Sequence, residues 1–178
     1  MSAVFATAPL LSVRRLKVYH PLPQRWPWTP PAWVRAVDDV HFNLNGGETL
    51  GIAGESGCGK STLARALVGL QPLTSGGIRY GNQDLAGFTR EQWRPLRREI
   101  QMVFKNPIAS LDPRMTIGDS LTEPLRTLFP ELDEAQRNRR VAALLERVGL
   151  PSAVASRYPP EFSGGECQRI GLARALIA

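Results

Sequence analysis

The feature that most constrains this 178-residue chain is a glycine-rich loop between an apolar segment and an amphipathic one. Residues 48–53 have the length and composition of a buried strand, and residues 61–70 carry apolar side chains at helical spacing. The pattern between them is G-x-x-x-x-G-K-[ST], and the order strand, loop, helix is typical of a phosphate-binding loop. The loop consists of Gly54, Glu55, Ser56, Gly57, Cys58, Gly59, Lys60, Ser61 and Thr62.

The residue types of this loop predict its chemistry. Glycines allow successive backbone N–H groups to point at one anion, and the helix that follows adds partial positive charge. Lys60 is long enough to reach the β- and γ-phosphates of a nucleotide, and the Ser61 hydroxyl is placed to ligate Mg²⁺. A glycine-rich turn before an ordinary helix is the plainer interpretation, but it requires neither lysine nor serine. We therefore expect nucleotide binding.

A second helix start carries another pair of glycines. Ser163 followed by Glu166 is the capping-box pattern, in which each residue satisfies a backbone N–H of the other. Gly164 and Gly165 lie between them and leave the first N–H groups of the helix uncovered, so that a phosphate has room to bind. An ordinary capped helix explains the same residues equally well when they are considered alone.

Together the two motifs resemble those of ATP-binding-cassette (ABC) ATPases. The loop at 54–62 resembles the Walker A motif, and Ser163, Gly164, Gly165 and Glu166 resemble the signature motif, usually Leu-Ser-Gly-Gly-Gln. The resemblance implies ATP and Mg²⁺ as cofactors and a second ABC subunit as partner. In this family the signature closes over the γ-phosphate held by the other subunit's loop, so that each nucleotide lies between two helix N-termini.

Further segments resemble the ATPases of oligopeptide and dipeptide permeases. They are Arg-Ala-Val-Asp at 35–38, Gly-Glu-Ser-Gly-Cys-Gly at 54–59, Ile-Gln-Met-Val-Phe-Lys-Asn-Pro at 100–107, Ala-Ser-Leu-Asp-Pro-Arg-Met-Thr-Ile-Gly at 109–118 and Arg-Tyr-Pro at 157–159. The resemblance implies peptide import, transmembrane permease subunits, a solute-binding protein and a peripheral position on the cytoplasmic face of the membrane. Importers of nickel, glutathione and antimicrobial peptides share much of this pattern and remain alternatives.

The family also implies the fold, an α/β P-loop NTPase cassette with a RecA-like parallel core, an antiparallel β subdomain and an α-helical subdomain. We assign residues 11–47 to the β subdomain, with a Pro- and Trp-rich insert at 21–33, and residues 48–104 to the core. Residues 105–163 correspond to the helical subdomain, which meets the transmembrane subunits, and residues 163–178 to the signature helix. The chain ends inside that helix, so we expect the family's Walker B Asp and Glu and its switch His beyond Ala178. We therefore expect no catalytic residue and no turnover within these residues.

Three positions bear on the nucleotide site. In this family an aromatic residue at the end of the first strand stacks on adenine, which points to His20 or the adjacent Tyr19. The family has a Mg²⁺-ligating Gln where this chain has Lys105, and lysine has no acceptor with which to bind a cation. Lys105 then either contacts the γ-phosphate or points into solvent. Glu166, in place of the usual Gln, adds a negative charge near phosphate.

Composition narrows the function classes. The net charge is +6 with pI near 10.0, but the arginines are scattered, and we interpret 94–98 and 137–140 as solvated helix faces, with no role in binding nucleic acid. The two cysteines form no disulfide framework, and no apolar run approaches the length of a membrane span. Three function classes remain: a transport ATPase, a non-catalytic nucleotide-binding partner and, less favoured by segment 109–118, a soluble cassette acting on nucleic acid or ribosomes.

Periodicity and punctuation predict the elements. We expect strands at 11–19, 35–44, 48–53, 76–80 and 100–104, with a turn at 81–82. Helices are expected at 61–70, 89–98, 119–128 and 133–148, the last capped by Asp133 and Gln136. The insert between the first two strands is expected to be a loop whose tryptophans pack back onto the sheet, with contact to a membrane or a permease as the less favoured alternative.

Overall fold

The computed structural model describes residues 8–178 apart from residues 25, 27, 29 and 107. Three positions of the predicted insert loop and one of the 100–107 segment therefore lie outside the described residues. The chain divides into two compact units, one up to Thr89 and one at Arg90–Ala178, and each is described by itself. Within the described residues, no helix is long and apolar enough to cross a membrane.

The first unit is built on an antiparallel sheet. Its strands are β1 (Leu11–Pro21), β2 (Trp33–Leu44), β3 (Ser75–Tyr80) and β4 (Gln83–Asp84), in the order β2-β1-β3-β4. The two long strands and the turn at 81–82 were predicted from alternation and turn residues, and both predictions are confirmed. One face of the sheet forms the core of this unit; its buried members are Val13, Leu16, Val18, Val37 and Ile78.

A bulge interrupts β1 at Arg15, which has a φ of 47°. The register with β2 shifts between Val13 and Leu16, and the pairing with β3 shifts between Arg14 and Lys17. Gly76 of β3 faces this bulge, and a Cβ there would lie 2.1 Å from the Arg15 carbonyl oxygen. The bulge thus requires glycine in the neighbouring strand.

The tryptophans of the insert do not pack onto the sheet, so that prediction is wrong. Trp26 and Trp28 stack on each other with ring centroids 5.4 Å apart. They are 53% and 77% exposed, and Trp33, which begins β2, is 52% exposed. The Leu22 N–H donates to the Ala32 carbonyl at 2.8 Å and closes the loop. The rings bury apolar area against each other, and the sheet is not needed for this.

Two predicted strands, at 48–53 and 100–104, are not formed. Neither segment pairs with any described strand. The side chains of Leu50, Ile52, Val103 and Phe104 are each at least 40% exposed. The physical reason is that an apolar segment becomes a strand only when a neighbouring backbone accepts and donates its hydrogen bonds. Composition predicts the burial a segment favours, but it does not supply that neighbour.

Helix α1 (Lys60–Leu67) follows the glycine loop and is shorter than predicted. Leu63 and Ala66 are buried, and α1 lies against β1 and β2. The helix ends because Gly69 has a φ of 69°, so that Leu70, expected to belong to the apolar face, is 51% exposed.

The second unit is helical. It contains α2 (Arg90–Leu96), α3 (Ile117–Leu128), α4 (Glu134–Arg147) and α5 (Gly164–Leu176), with short 3₁₀ turns at Ile108–Ser110, Ser152–Ser156 and Pro159–Glu161. The predicted capping box of α4 is confirmed, with both hydrogen bonds between Asp133 and Gln136. Helix α3 begins two residues earlier than expected, because the Thr116 hydroxyl accepts the Asp119 N–H. Helices α3, α4 and α5 share one core, whose fully buried members are Ile117, Leu121, Leu125, Leu145, Ile170 and Ala173.

The two basic clusters are not simply solvated faces, which corrects the interpretation from sequence. Arg94 donates to the Thr127 carbonyl at 2.8 Å, and Arg98 donates to the Leu128 carbonyl. These bonds satisfy carbonyls at the C-terminal end of α3, where positive charge also complements the helix dipole. Arg98 and Arg140 both lie over the Phe129 ring, at 4.4 and 5.5 Å from its centroid.

Candidate nucleotide site

The glycine loop is exposed and fixed at its end against β2. Gly59 is the N-cap of α1 with a φ of 96°, and no side chain caps this helix. A Cβ at Gly59 would lie 1.9 Å from the Ala36 carbonyl oxygen. Only glycine fits this contact and this backbone conformation together. The sheet therefore fixes the point at which the loop becomes a helix, and the first N–H groups of α1 stay free of side-chain caps.

Lys60 folds back over the loop that precedes it. Its Nζ donates to the carbonyl oxygens of Gly54 and Glu55, each at 2.7 Å, and to the Cys58 Sγ at 3.4 Å. The ammonium group is thus held at the mouth of the loop by neutral acceptors. An entering phosphate offers charged acceptors to the same donors, and charge-assisted hydrogen bonds are the stronger kind.

Ser61 is in the first turn of α1 and is exposed. Its hydroxyl has no hydrogen-bond partner among the described residues. A free hydroxyl oxygen beside a phosphate cradle suits Mg²⁺, which takes one or two protein ligands and completes its shell with phosphates and water. In the described part of the chain, no group of three or more His, Cys, Asp and Glu gathers to hold a metal by side chains alone. Ser61 therefore fits Mg²⁺ only as one ligand among phosphate oxygens.

The two candidates for adenine stacking differ in how firmly they are held. The Tyr19 hydroxyl donates to Asp38 Oδ1 at 2.5 Å, and the Arg35 guanidinium lies 5.7 Å from the Tyr19 ring centroid. The hydrogen bond to Asp38 raises the pKa of Tyr19, and the same bond lowers the pKa of Asp38. His20 is half-buried and pairs with Val34 across β1 and β2. Successive side chains of a strand point to opposite faces, so Tyr19 and His20 lie on different faces of the sheet.

The second motif is in the helical unit, where the predicted capping box is confirmed. Ser163 Oγ accepts the Glu166 N–H at 3.3 Å, and Glu166 Oε2 accepts the Ser163 N–H at 2.8 Å. Glu166 Oε2 also accepts the Ser163 hydroxyl at 2.7 Å. The hydrogen bond from the Ser163 hydroxyl has the largest effect in lowering the pKa of Glu166, and the bond from the Ser163 N–H lowers it further.

Gly164 and Gly165 are not required by packing in this unit. A Cβ at either position would meet nothing within 4 Å, and neither residue has a positive φ. Helix propensity alone would favour alanine at both positions. Two glycines at an open helix start instead leave space for something outside this part of the chain to approach the backbone.

Helix α5 is held firmly behind this open end. Cys167, Ile170 and Ala173 are buried in the core. Arg174 donates to the Ser110 carbonyl at 2.8 Å and to Glu123 Oε2 at 2.7 Å. The exposed first turn is therefore presented by a fixed helix.

Lys105 belongs to the helical unit, and the glycine loop belongs to the other. The residue is exposed at a bend, and within the described residues its side chain makes no hydrogen bond or ion pair. This exposure agrees with a side chain in solvent, which was one of the two alternatives. Its predicted effect on Mg²⁺ stays a prediction.

Sequence reasoning missed the residues that support the site. Ala36 contacts Gly59 through its backbone carbonyl, and Lys17 and Arg35 approach the Asp38 carboxylate at 3.6 and 3.5 Å. A contact made by a backbone atom leaves no residue-type signal. The pair of Lys17 and Asp38 joins β1 to β2, so only the register of the two strands reveals it.

Comparison with known proteins places these two motifs in one family. The family model described as ABC transporter matches residues 37–178, which include both motifs and most of the chain. This chain belongs to the ABC transporter family. The assignment of the loop at 54–62 as the Walker A motif, and of residues 163–166 as the signature, stays a prediction.

The curated relatives include transport ATP-binding proteins of bacteria. The oligopeptide transport ATP-binding protein OppF of Salmonella typhimurium is 51% identical over 170 residues, covering 94% of this chain and 51% of the relative. The di/tripeptide transport ATP-binding protein DppF of Pseudomonas aeruginosa is 49% identical over 146 residues, covering 82% and 45%. The chain spans about half the length of the curated relatives it matches.

A solved structure confirms the fold class. The dimeric post-hydrolysis state of the ATP-binding cassette MJ0796, bound to ADP and Pi, matches with a TM-score of 0.81 at 25% identity. The match covers 94% of this chain and 69% of that one. The ABC cassette fold expected from the sequence is thereby confirmed, although the two segments expected in its parallel core are not strands here.

Proposed function

We propose that this chain is the ATP-binding part of an ABC ATPase that energises peptide import. The observation that carries the proposal is the position of Lys60, whose ammonium is held over the loop by the Gly54 and Glu55 carbonyls. A cation held over the loop supports the binding of a triphosphate there. The names of the relatives, oligopeptide and di/tripeptide transport ATP-binding proteins, support peptides as the solute.

The residues of the loop divide the work of holding the nucleotide. Lys60 exchanges its carbonyl partners for β- and γ-phosphate oxygens, and the free N–H groups at the start of α1 donate to the same phosphates. Ser61 supplies the protein ligand to Mg²⁺. When bound, this ion neutralises phosphate charge and supports phosphoryl transfer. His20, near the end of β1, is the side chain we assign to adenine, because the Arg35 guanidinium already lies over the Tyr19 ring, 5.7 Å from its centroid.

The signature end completes the site in a dimer. Ser163, Gly164 and Gly165 meet the terminal phosphate held by the Walker A loop of a second ABC subunit, so two helix N-termini face one phosphate chain. The open space around both glycines supports this role, because packing within the unit does not explain them. Permease subunits, a solute-binding protein and a position on the cytoplasmic face of the membrane complete the proposed assembly.

Two residues favour a second candidate, a nucleotide-binding partner that does not itself hydrolyse ATP. Lys105 removes one expected metal ligand, and Glu166 adds a negative charge beside the phosphate. In this alternative the companion subunit carries out the hydrolysis. ATP binding by the Walker A loop is common to both candidates.

An equilibrium titration with a fluorescent ATP analogue tests ATP binding. Lys60→Ala removes a charge-assisted contact worth about 1.5–3 kcal/mol, so we expect the affinity to fall at least tenfold. The control is Arg139→Ala, which also removes one positive charge but from an exposed position of α4 in the helical unit. We expect this variant to bind like the parent. Equal affinity for Lys60→Ala and the parent would refute the site.

The solute is tested by uptake in cells. A strain lacking the complete gene should lose uptake of a radiolabelled tripeptide and regain it on complementation. Loss of nickel uptake with normal tripeptide uptake would instead favour the nickel-importer alternative.

A further inference from the structure

The Ser163 hydroxyl is already committed within this chain. A serine hydroxyl has one proton to donate, and here it goes to Glu166 Oε2 at 2.7 Å. The same carboxylate oxygen accepts the Ser163 N–H at 2.8 Å. Ser163 therefore cannot donate its hydroxyl proton to a phosphate until Glu166 releases it.

The negative charge of Glu166 also has no cationic side chain in contact with it among the described residues. Among the described residues, no Lys, Arg or His lies within ion-pair distance of this carboxylate, although Arg169 and Arg157 act on it from farther away. Glu161, a similar capping carboxylate, accepts the Tyr158 N–H at 2.6 Å but is paired with Arg157 at 3.3 Å. Of these two carboxylates, Glu166 carries the unpaired charge, and it is at the open helix start.

The first backbone N–H groups of α5 remain free beside this charge. The N–H groups of Gly164 and Gly165 have no acceptor among the described residues, and no atom would meet a Cβ at either glycine within 4 Å. A phosphate at this helix start can therefore accept from the Gly164 and Gly165 N–H groups. The Glu166 carboxylate beside them repels the phosphate and accepts the Ser163 hydroxyl proton, which would be the third donor.

We propose that Glu166 is a positioning residue that competes with the terminal phosphate for Ser163 and thereby weakens anion binding at the signature end of this chain. The inference rests on the proposed function, because it concerns the phosphate that a second subunit presents. Under this proposal the charge of Glu166 weakens phosphate binding at residues 163–166, and phosphate binding at the Walker A loop of this chain is unchanged.

A neutral residue at 166 can keep the helix cap intact. In α4 the same capping position is held by Gln136, whose Oε1 accepts the Asp133 N–H at 2.9 Å. Glu166→Gln therefore removes the charge and leaves the reciprocal hydrogen bond available. Glu161→Gln is the matched control, since it makes the same chemical change at another carboxylate that accepts a backbone N–H three residues before it.

The probe is inorganic phosphate, followed by amide NMR of the isotope-labelled chain. We expect Glu166→Gln to bind phosphate roughly three- to tenfold more tightly at the Gly164 and Gly165 amides, because a like charge a few ångströms away is removed. Glu161→Gln should match the parent at these amides. The amides of residues 57–61 should respond equally in all three proteins.

Each outcome addresses one claim. Equal phosphate affinity at the two glycines in the parent and in Glu166→Gln would overturn the inference, and so would the absence of any response there in Glu166→Gln. A response at the glycines with none at residues 57–61 would leave the inference standing and contradict the proposed nucleotide loop. Near-ultraviolet circular dichroism of Glu166→Gln, expected to match the parent, shows that the helix and its core are retained.

Discussion

Replacement of Gly59 by alanine gives a large and separable loss of stability. The backbone at this position has a φ of 96°, which costs a residue with a Cβ about 1–2 kcal/mol. The new Cβ would also lie 1.9 Å from the Ala36 carbonyl oxygen, which is backbone and cannot rotate away. Relief of that overlap by moving α1 or β2 adds about 1–3 kcal/mol, the usual cost of overpacking. We expect Gly59→Ala to destabilise the first unit by about 2–5 kcal/mol.

Two other glycines separate the contributions. Gly57 has a φ of 83° but open space around it, so Gly57→Ala should cost only the backbone term, about 1–2 kcal/mol. Gly165 is helical and unobstructed, so Gly165→Ala should be neutral or stabilise α5 by up to about 1 kcal/mol.

The assay is native-state hydrogen exchange of the buried β1 amides for the first unit and of the α5 amides for the second. Exchange reports each unit by itself and requires no two-state assumption for the whole chain. If Gly59→Ala destabilises β1 no more than Gly57→Ala does, the contact with Ala36 does not fix the loop, and the reasoning is wrong.

Three further predictions concern charge. Asp38→Asn should lower the pKa of Tyr19 towards its ordinary value, which ultraviolet titration of the phenol measures; an unchanged Tyr19 titration would contradict the hydrogen bond. Because folding lowers the pKa of Asp38, its contribution to stability is complete above the unfolded pKa and is lost as the pH falls below about 4. Lys105→Gln, in the complete transport complex, should raise ATPase activity and shift its Mg²⁺ dependence to lower concentration, and an identical Mg²⁺ titration would show that Lys105 points away from the site.

The sequence was a good guide to features fixed by a few consecutive residues. The capping boxes of α4 and α5 were both predicted, because a side chain and a backbone N–H three residues apart decide them. The hairpin at 81–82 and the long strands β1 and β2 follow equally from turn residues and alternation. The two glycine motifs, at 54–62 and 163–166, belong to this local class, which is why the sequence alone indicated the family.

Features that depend on distant residues were not predictable. Residues 48–53 and 100–104 have strand composition but no described strand beside them, and four of their large apolar side chains remain exposed: Leu50, Ile52, Val103 and Phe104. The contact of Gly59 with Ala36 joins a loop to a strand through backbone atoms. The stacking of Trp26 on Trp28 depends on how the insert closes, and a proline-rich sequence indicates only that it is a loop.

The most direct test of the account is an experimental structure of the chain with a non-hydrolysable ATP analogue and Mg²⁺. We predict that Lys60 Nζ leaves the Gly54 and Glu55 carbonyls, to which it now donates at 2.7 Å, and contacts β- and γ-phosphate oxygens. Ser61 Oγ should then be in the coordination shell of the metal. A nucleotide bound away from residues 54–62, or a Lys60 that keeps both carbonyls while the analogue is bound, would contradict the account.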